Sequence, residues 1–535
     1  MRRSRSIELN RRELLPPGRF LASVLLLAAA SCSGFGAGGY SEVRIDNVTL
    51  EMPLTDAQPA SVAFDVAWDN SFRDDLNWDA VWVFVKFREP GQSWRHADIS
   101  TDASAHRIGE NNGVLATLAP AADGRGIFLH RADDGFSSID WDRVSLAWPL
   151  AGNGVDKSAS VEIEVIGLPM VYIPEGPFML GDGTVVEALV AGQFERGTLP
   201  QAFEIASEAA ITLGGGGSNS LGNHNRRVSS ATPQQFWDDF SNGAPQTLAA
   251  EFPKGFAAFY VMKHELTQGD YARFLNLLTP SQQGTRNPAA SVPAGEEHRY
   301  AISSDAPFRV APYNRAANHL SWMDIGAFAD WSALRPMSEL EFEKAARGDR
   351  YPDPGEFAWG PEVPPAGKYA LQDEDTPEEL ITNQSQGANV AFAGTIGLAS
   401  SVSGPLRAGA FVPLATSRLG FGGSYYRVTE MSGNVAEIVV TVGRSAGRRY
   451  QGRHGDGELS PAGNAAGAGM EWWPGARRVA SGGYEVLNAD GTGTRGGDWT
   501  SELRRLQVSD REDINKPADH RDMRWGGRLV RSADR

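Results

Sequence analysis

Leu334-Arg335-Pro336-Met337-Ser338-Glu339-Leu340-Glu341-Phe342-Glu343-Lys344-Ala345-Ala346-Arg347-Gly348 is the stretch on which the reading of this chain turns. Ser338 followed three residues later by Glu341 is a capping box, in which each residue's side chain satisfies the other's backbone amide. Gly348 supplies the stop, because only glycine takes a left-handed conformation without steric cost. The stretch therefore predicts a short helix with a defined start and end. The same start signal recurs upstream. Thr267 precedes Asp270 by three residues and leads a helix with Tyr271, Phe274, Leu275 and Leu278 on one face. Ser321 stands likewise before Asp324, within His319-Leu320-Ser321-Trp322. Short capped helices among 60 glycines and 14 tryptophans predict an α+β fold with tight turns and much irregular backbone.

Further blocks surround these helices. Met170-Val171-Tyr172-Ile173-Pro174-Glu175-Gly176-Pro177-Phe178-Met179-Leu180-Gly181 reads as strand, turn and strand, and Phe259-Tyr260-Val261-Met262-Lys263-His264-Glu265-Leu266 leads into the first helix. Phe357-Ala358-Trp359-Gly360, then Thr429-Glu430-Met431-Ser432-Gly433-Asn434-Val435-Ala436-Glu437, Arg495-Gly496-Gly497-Asp498-Trp499 and Gly526-Gly527-Arg528-Leu529-Val530-Arg531 follow in order. Taken together, the blocks resemble the formylglycine-generating enzyme family, also called the sulfatase-modifying factor family, over residues 168–535. Ala436 and Ile438 stand where that family's "GNVWEW" segment carries tryptophans. The resemblance implies a fold akin to C-type lectins. Thr212–Arg227 and Asp373–Gly404 read as inserted surface loops.

The resemblance also implies where chemistry would sit. The family's oxidase uses two cysteines shortly after the "RGGSW" block to bind copper and pass electrons to oxygen. The matching positions here are Ser501 and, approximately, Leu506. Monovalent copper favours soft thiolates over a hydroxyl or an alkyl group, and the chain's one cysteine is Cys32, far upstream. Copper is therefore not expected, and no catalytic residue is assigned. Calcium is the metal the resemblance suggests, through Asn434 and Glu437, which offer hard oxygen ligands. The alternative is that Asn434 caps a turn and Glu437 pairs with an arginine. Arginine and acid alternate densely from Arg504 to Arg528. One reading is a groove for an anionic ligand or peptide, carried by Trp499, Arg504 and Arg511; the other is an internal ion-pair network. The nine histidines show no ligand spacing, and His454-Gly455-Asp456-Gly457 reads as a polar loop.

Residues 40–167 read as a separate all-β sandwich. Phe64, Val66 and Trp68 alternate with Asp65 and Ala67, and Val81, Val83, Val85 and Phe87 alternate with Trp82, Phe84 and Lys86. Its tryptophans are expected in the core. Residues 1–32 read as an export signal: scattered arginines precede the apolar run Phe20–Ala30, too short to span a bilayer. Leu27-Ala28-Ala29-Ala30-Ser31-Cys32 resembles a lipobox, which makes Cys32 the expected lipidation site and residues 33–39 a flexible tether. A plain secretory signal is the alternative.

A net charge of −16 and a pI near 5.1 argue against nucleic acid as partner. The expectation is an exported protein of the bacterial cell envelope, anchored by lipid to the outer membrane or free in the periplasm or outside. Its sulfatase-modifying-factor-like domain would then be a non-catalytic binding or scaffold module for an envelope protein or glycan. The alternative is a formylglycine-generating-type oxidase, or another oxygen-dependent metalloenzyme, acting on a protein cysteine or small thiol.

Overall fold

The computed structural model describes residues 42–534, apart from 53–58, 110–111, 185–191, 224–236, 399, 414 and 416. The expected signal, the tether and Cys32 lie outside the described residues. The fold is mostly strands with few helices, an α+β arrangement. Among the described residues, no helix is long and apolar enough to cross a membrane.

Two sheets organise the N-terminal part. Arg44–Glu51, Ala60–Arg73 and Gly135–Trp148 form a three-stranded antiparallel sheet. An eight-stranded antiparallel sheet runs in the order Arg335–Pro336, Leu529–Ser532, Phe259–Met262, Glu162–Ile173, Asp79–Arg88, Ile127–Arg131, Ala116–Pro120, with Arg95–His96 beside Asp79–Arg88. The strand Glu162–Ile173 joins the two halves of the chain. Its first ten residues pair with Asp79–Arg88, and Met170–Ile173 also pair with Phe259–Met262. The boundary expected at 167/168 thus falls inside one continuous strand.

Alternation in Asp79–Arg88 explains why both faces of that strand are buried. Val81, Val83, Val85 and Phe87 share a core with Phe64, Val66, Trp68, Trp141 and Trp148 of the three-stranded sheet. Trp82 and Phe84 point the other way, into the large core with Tyr260, Phe274, Phe328 and Trp331. The Trp82 indole donates to the Ser332 carbonyl at 3.0 Å. Trp68, Trp82, Trp141 and Trp148 are core residues, as their strand positions predict, whereas Trp78 and Trp94 lie outside the strands and are partly buried.

The helices form where the capping residues place them: Gln268–Asn276, Trp322–Trp331 and Glu339–Arg347. The Glu341 amide donates to Ser338 Oγ at 3.1 Å, and the Ser338 amide to Glu341 Oε2 at 3.0 Å. Gly348 closes that helix at φ +82°, and a Cβ there would overlap the Tyr425 ring. Two loop expectations need correction. Ile211–Leu213 and Ser220–Asn223 are strands of a four-stranded sheet. Within 373–404, Ile381, Ala391, Ile396 and Val402 build their own apolar cluster around Trp499, so the segment is a packed layer of the domain.

Candidate functional site

A small sheet positions the residues of interest. Ala436–Val440 runs antiparallel to Thr492–Arg495 and parallel to Trp525–Gly526. This register sets Glu437 opposite both Arg495 and Gly526, so the "GNVWEW"-like, "RGGSW"-like and closing blocks meet at one place.

Ser501 lies in the turn just after this sheet, buried to 6% exposure. Its hydroxyl donates to Asp498 Oδ2 at 2.8 Å and accepts the Asp498 amide at 3.0 Å. Burial pushes the Asp498 carboxyl up, against hydrogen bonds from Thr500 and Ser501 that lower it. Leu506 is buried in a cluster with Phe357, Trp359, Val390 and Phe392. One position is thus a closed polar turn and the other an apolar core. Neither offers a ligand that suits copper. Beside Gly496 and Asp498 lies a polar cavity of about 20 Å³, lined also by Arg505, Asp510 and Arg524, with room for about one water molecule.

The groove expected from Trp499, Arg504 and Arg511 is not formed by those residues. Trp499 is buried, its indole donating to the Met523 carbonyl at 3.2 Å. Arg511 is buried over the Phe194 ring, paired with Asp238 at 2.8 Å and Glu339 at 2.7 Å. Arg504 is partly exposed and pairs with Asp510 at 3.0 Å and with Glu512. The physical reason is a charge balance internal to the fold: Arg504 meets acids a few residues on, and Arg511 meets Asp238 and Glu339 from distant parts of the chain.

Asn434 and Glu437 do come together, with partners that single out neither from the sequence. Asn434 sits at φ +62°. Its Oδ1 accepts the Leu406 amide at 2.8 Å, and its Nδ2 donates to Glu265 Oε2 at 2.5 Å. Glu437 Oε1 accepts from the buried Arg528 at 3.1 Å and 3.2 Å. Glu265 Oε1 accepts the Val435 amide at 2.9 Å, and Glu430 Oε1 the Gly409 amide at 2.9 Å. Burial raises the Glu437 carboxyl to about 7 in spite of Arg528. Burial, then the charges of Glu430 and Glu437, hold Glu265 well above the carboxylate range. A guanidinium beside Glu437 and an amide on Asn434 Oδ1 are poor company for a divalent cation, which needs several converging oxygens. As arranged, Asn434 Oδ1 is occupied by the Leu406 amide and Glu437 Oε1 by the Arg528 guanidinium.

Glu265, Glu430 and Arg528 escaped the sequence reading as members of this cluster, although each lies inside a quoted block. The available signal was the concentration of acids in those blocks, Glu265 beside His264 and Glu430 seven residues before Glu437. Residues 169–533 match the sulfatase-modifying factor enzyme 1-like domain. The chain belongs to that family. A relative is the formylglycine-generating enzyme of Thermomonospora curvata, 39% identical over 56 residues. That stretch covers 10% of this chain and 18% of the relative. The sulfatase-modifying factor domain therefore includes every block quoted from Met170 onward, and the clustered acids lie within it.

Proposed function

We propose that this chain is an exported, lipid-anchored envelope protein whose sulfatase-modifying-factor domain is a non-catalytic binding or scaffold module. The observation that carries this reading is the fate of positions 501 and 506. A hydroxyl held in a turn by Asp498 and an isobutyl group in an apolar core supply neither the nucleophilicity nor the metal affinity of a thiolate pair. The fold can keep its surface while losing this chemistry, since function resides in sites carried by folds. The residues before 168 would serve as a β-sandwich spacer or second contact, packed against the family domain through Asp79–Arg88 and carried on Cys32 and the glycine-rich tether.

The test is copper content and oxygen uptake. Full-length protein, loaded with monovalent copper under reducing conditions and desalted, is expected to retain no stoichiometric metal. It is also expected to consume no oxygen with a cysteine-containing peptide, with Cys32→Ser behaving alike. Retained copper with peptide-dependent oxygen consumption by Cys32→Ser would overturn the reading in favour of an oxidase.

A further inference from the structure

A second cavity, of about 590 Å³, shares no lining residue with the one beside Asp498. Its size is that of a small-molecule site. One wall is the turn carrying Asp123 and Arg125, between the strands Ala116–Pro120 and Ile127–Arg131. The other is the loop Gln451–Asp456, in the family domain.

These walls are held in place by bonds between distant parts of the chain. Both oxygens of Asp123 accept from Arg531, at 2.6 Å and 2.7 Å, and the Ala122 amide donates to Asp534 at 2.8 Å. The Asp456 amide donates to Asp330 Oδ1 at 3.0 Å, and Lys86 Nζ to the Gly457 carbonyl at 2.6 Å. Gly455 lies so close to the end of the Trp322–Trp331 helix that a Cβ would stand 2.3 Å from Asp330 Cα. Such a cleft is preformed, which lowers the entropic cost of binding.

Its lining mixes polar and apolar surface and carries three carboxylates, Asp123, Glu251 and Asp456, beside Arg125 and Arg453. Arg125 is paired with Asp98 at 2.9 Å and Asp123 with Arg531, while Arg453 and Glu251 add opposite charges at exposed positions. His454 is the informative group. Its Nε2 accepts the Ser532 amide at 3.0 Å, so the ring proton resides on Nδ1. Burial, then Arg531, keeps this imidazole neutral, well below its usual pKa. Nδ1 lies 4.0 Å from Asp123 Oδ2, too far for a direct hydrogen bond. One oxygen at about 2.8 Å from each would accept from the imidazole and donate to the carboxylate. A hydroxyl does both at once, whereas an ammonium cannot accept and a carboxylate cannot donate.

We infer that this cleft binds an uncharged polyhydroxylated ligand of mono- to disaccharide size, with His454 and Asp123 holding one hydroxyl between the two halves of the chain. Three carboxylates beside two arginines disfavour a polyanion, and a lining that mixes polar and apolar surface suits the hydroxyls and C–H faces of a sugar. The inference is independent of the non-catalytic reading, because it uses no residue near positions 501 or 506.

The experiment is saturation-transfer NMR and calorimetry on full-length protein with D-glucose, D-galactose, N-acetyl-D-glucosamine, cellobiose and maltose. The dipeptide Lys-Glu and inorganic phosphate serve as charged comparators. At least one sugar is expected to bind saturably in the millimolar range, about −4 kcal/mol. Arg453→Ala, at an exposed position, or Gln451→Ala, at a half-buried one, is expected to weaken it at least about tenfold, with the melting temperature unchanged. Absence of saturable sugar binding would overturn the inference. So would sugar binding indifferent to both substitutions, or binding of the comparators alone.

Discussion

Two buried clusters of charge, built from the same residue types, solve the same problem differently. Around the Glu339–Arg347 helix, Arg335, Arg347, Arg495 and Arg511 meet Glu341, Glu343, Glu339 and Asp238 at distances of 2.7–3.2 Å. Around Glu437, one arginine, Arg528, faces a carboxylate that has Glu265 and Glu430 close by. Burial pushes Glu343 up, yet Arg495 and Arg347 hold it below the carboxylate range. Burial and like charge leave Glu437 and Glu265 raised. A low-dielectric interior tolerates carboxyl groups when arginines neutralise them or when they keep their protons. The first cluster uses counter-charge, and the second leans on protonation.

The sharpest way to break the contrast is Arg495→Met. It leaves Glu339 and Glu343 with less compensation, and chemical unfolding is expected to show a loss of about 3–5 kcal/mol, largely independent of pH between 6 and 8. Arg528→Met attacks the other cluster. It is expected to cost about 3 kcal/mol at pH 8 and less at pH 5, where the neighbouring carboxyls can take up protons. Equal losses at both pH values would contradict the proposed difference between the clusters.

Glu265→Gln should sharpen the comparison. A carboxyl whose folded pKa is raised stabilises the fold below its unfolded pKa and loses that contribution as pH rises through the folded value. For Glu437 the window runs from 4.5 to about 7, and Glu265 extends it upward. Urea unfolding of Glu265→Gln is therefore expected to gain on the parent as pH rises from 5 to 8, by about 1.4 kcal/mol for each pKa unit relieved. The smallest expected effect is that of calcium: at millimolar concentration it should leave the melting temperature of the full-length protein unchanged. A rise that Asn434→Ala abolishes would show that Arg528 yields its place to the ion.

Much of this was legible before any coordinates. Ser338, Thr267 and Ser321 announced helix starts because capping depends on three or four neighbouring residues. The alternation of Val81, Val83 and Val85 with Trp82 and Phe84 announced a strand, and packing showed that both of its faces are buried. The alternative readings of Glu437 as an arginine's partner and of Arg504–Arg528 as an ion-pair network were also available, but spacing could not rank them above calcium or a groove. What covers a face, or which arginine reaches which acid, depends on residues such as Glu339 and Arg511, which are 172 positions apart.

The chain alone settled family, element starts and the presence of a single cysteine, since these are properties of residue type and short-range order. Only the tertiary structure decided that Trp499 and Arg511 are internal, that one strand crosses the expected boundary, and that Asp123 approaches His454. Those outcomes arise from packing between segments hundreds of residues apart, where burial and charge compensation act on spatial neighbours whatever their separation along the backbone.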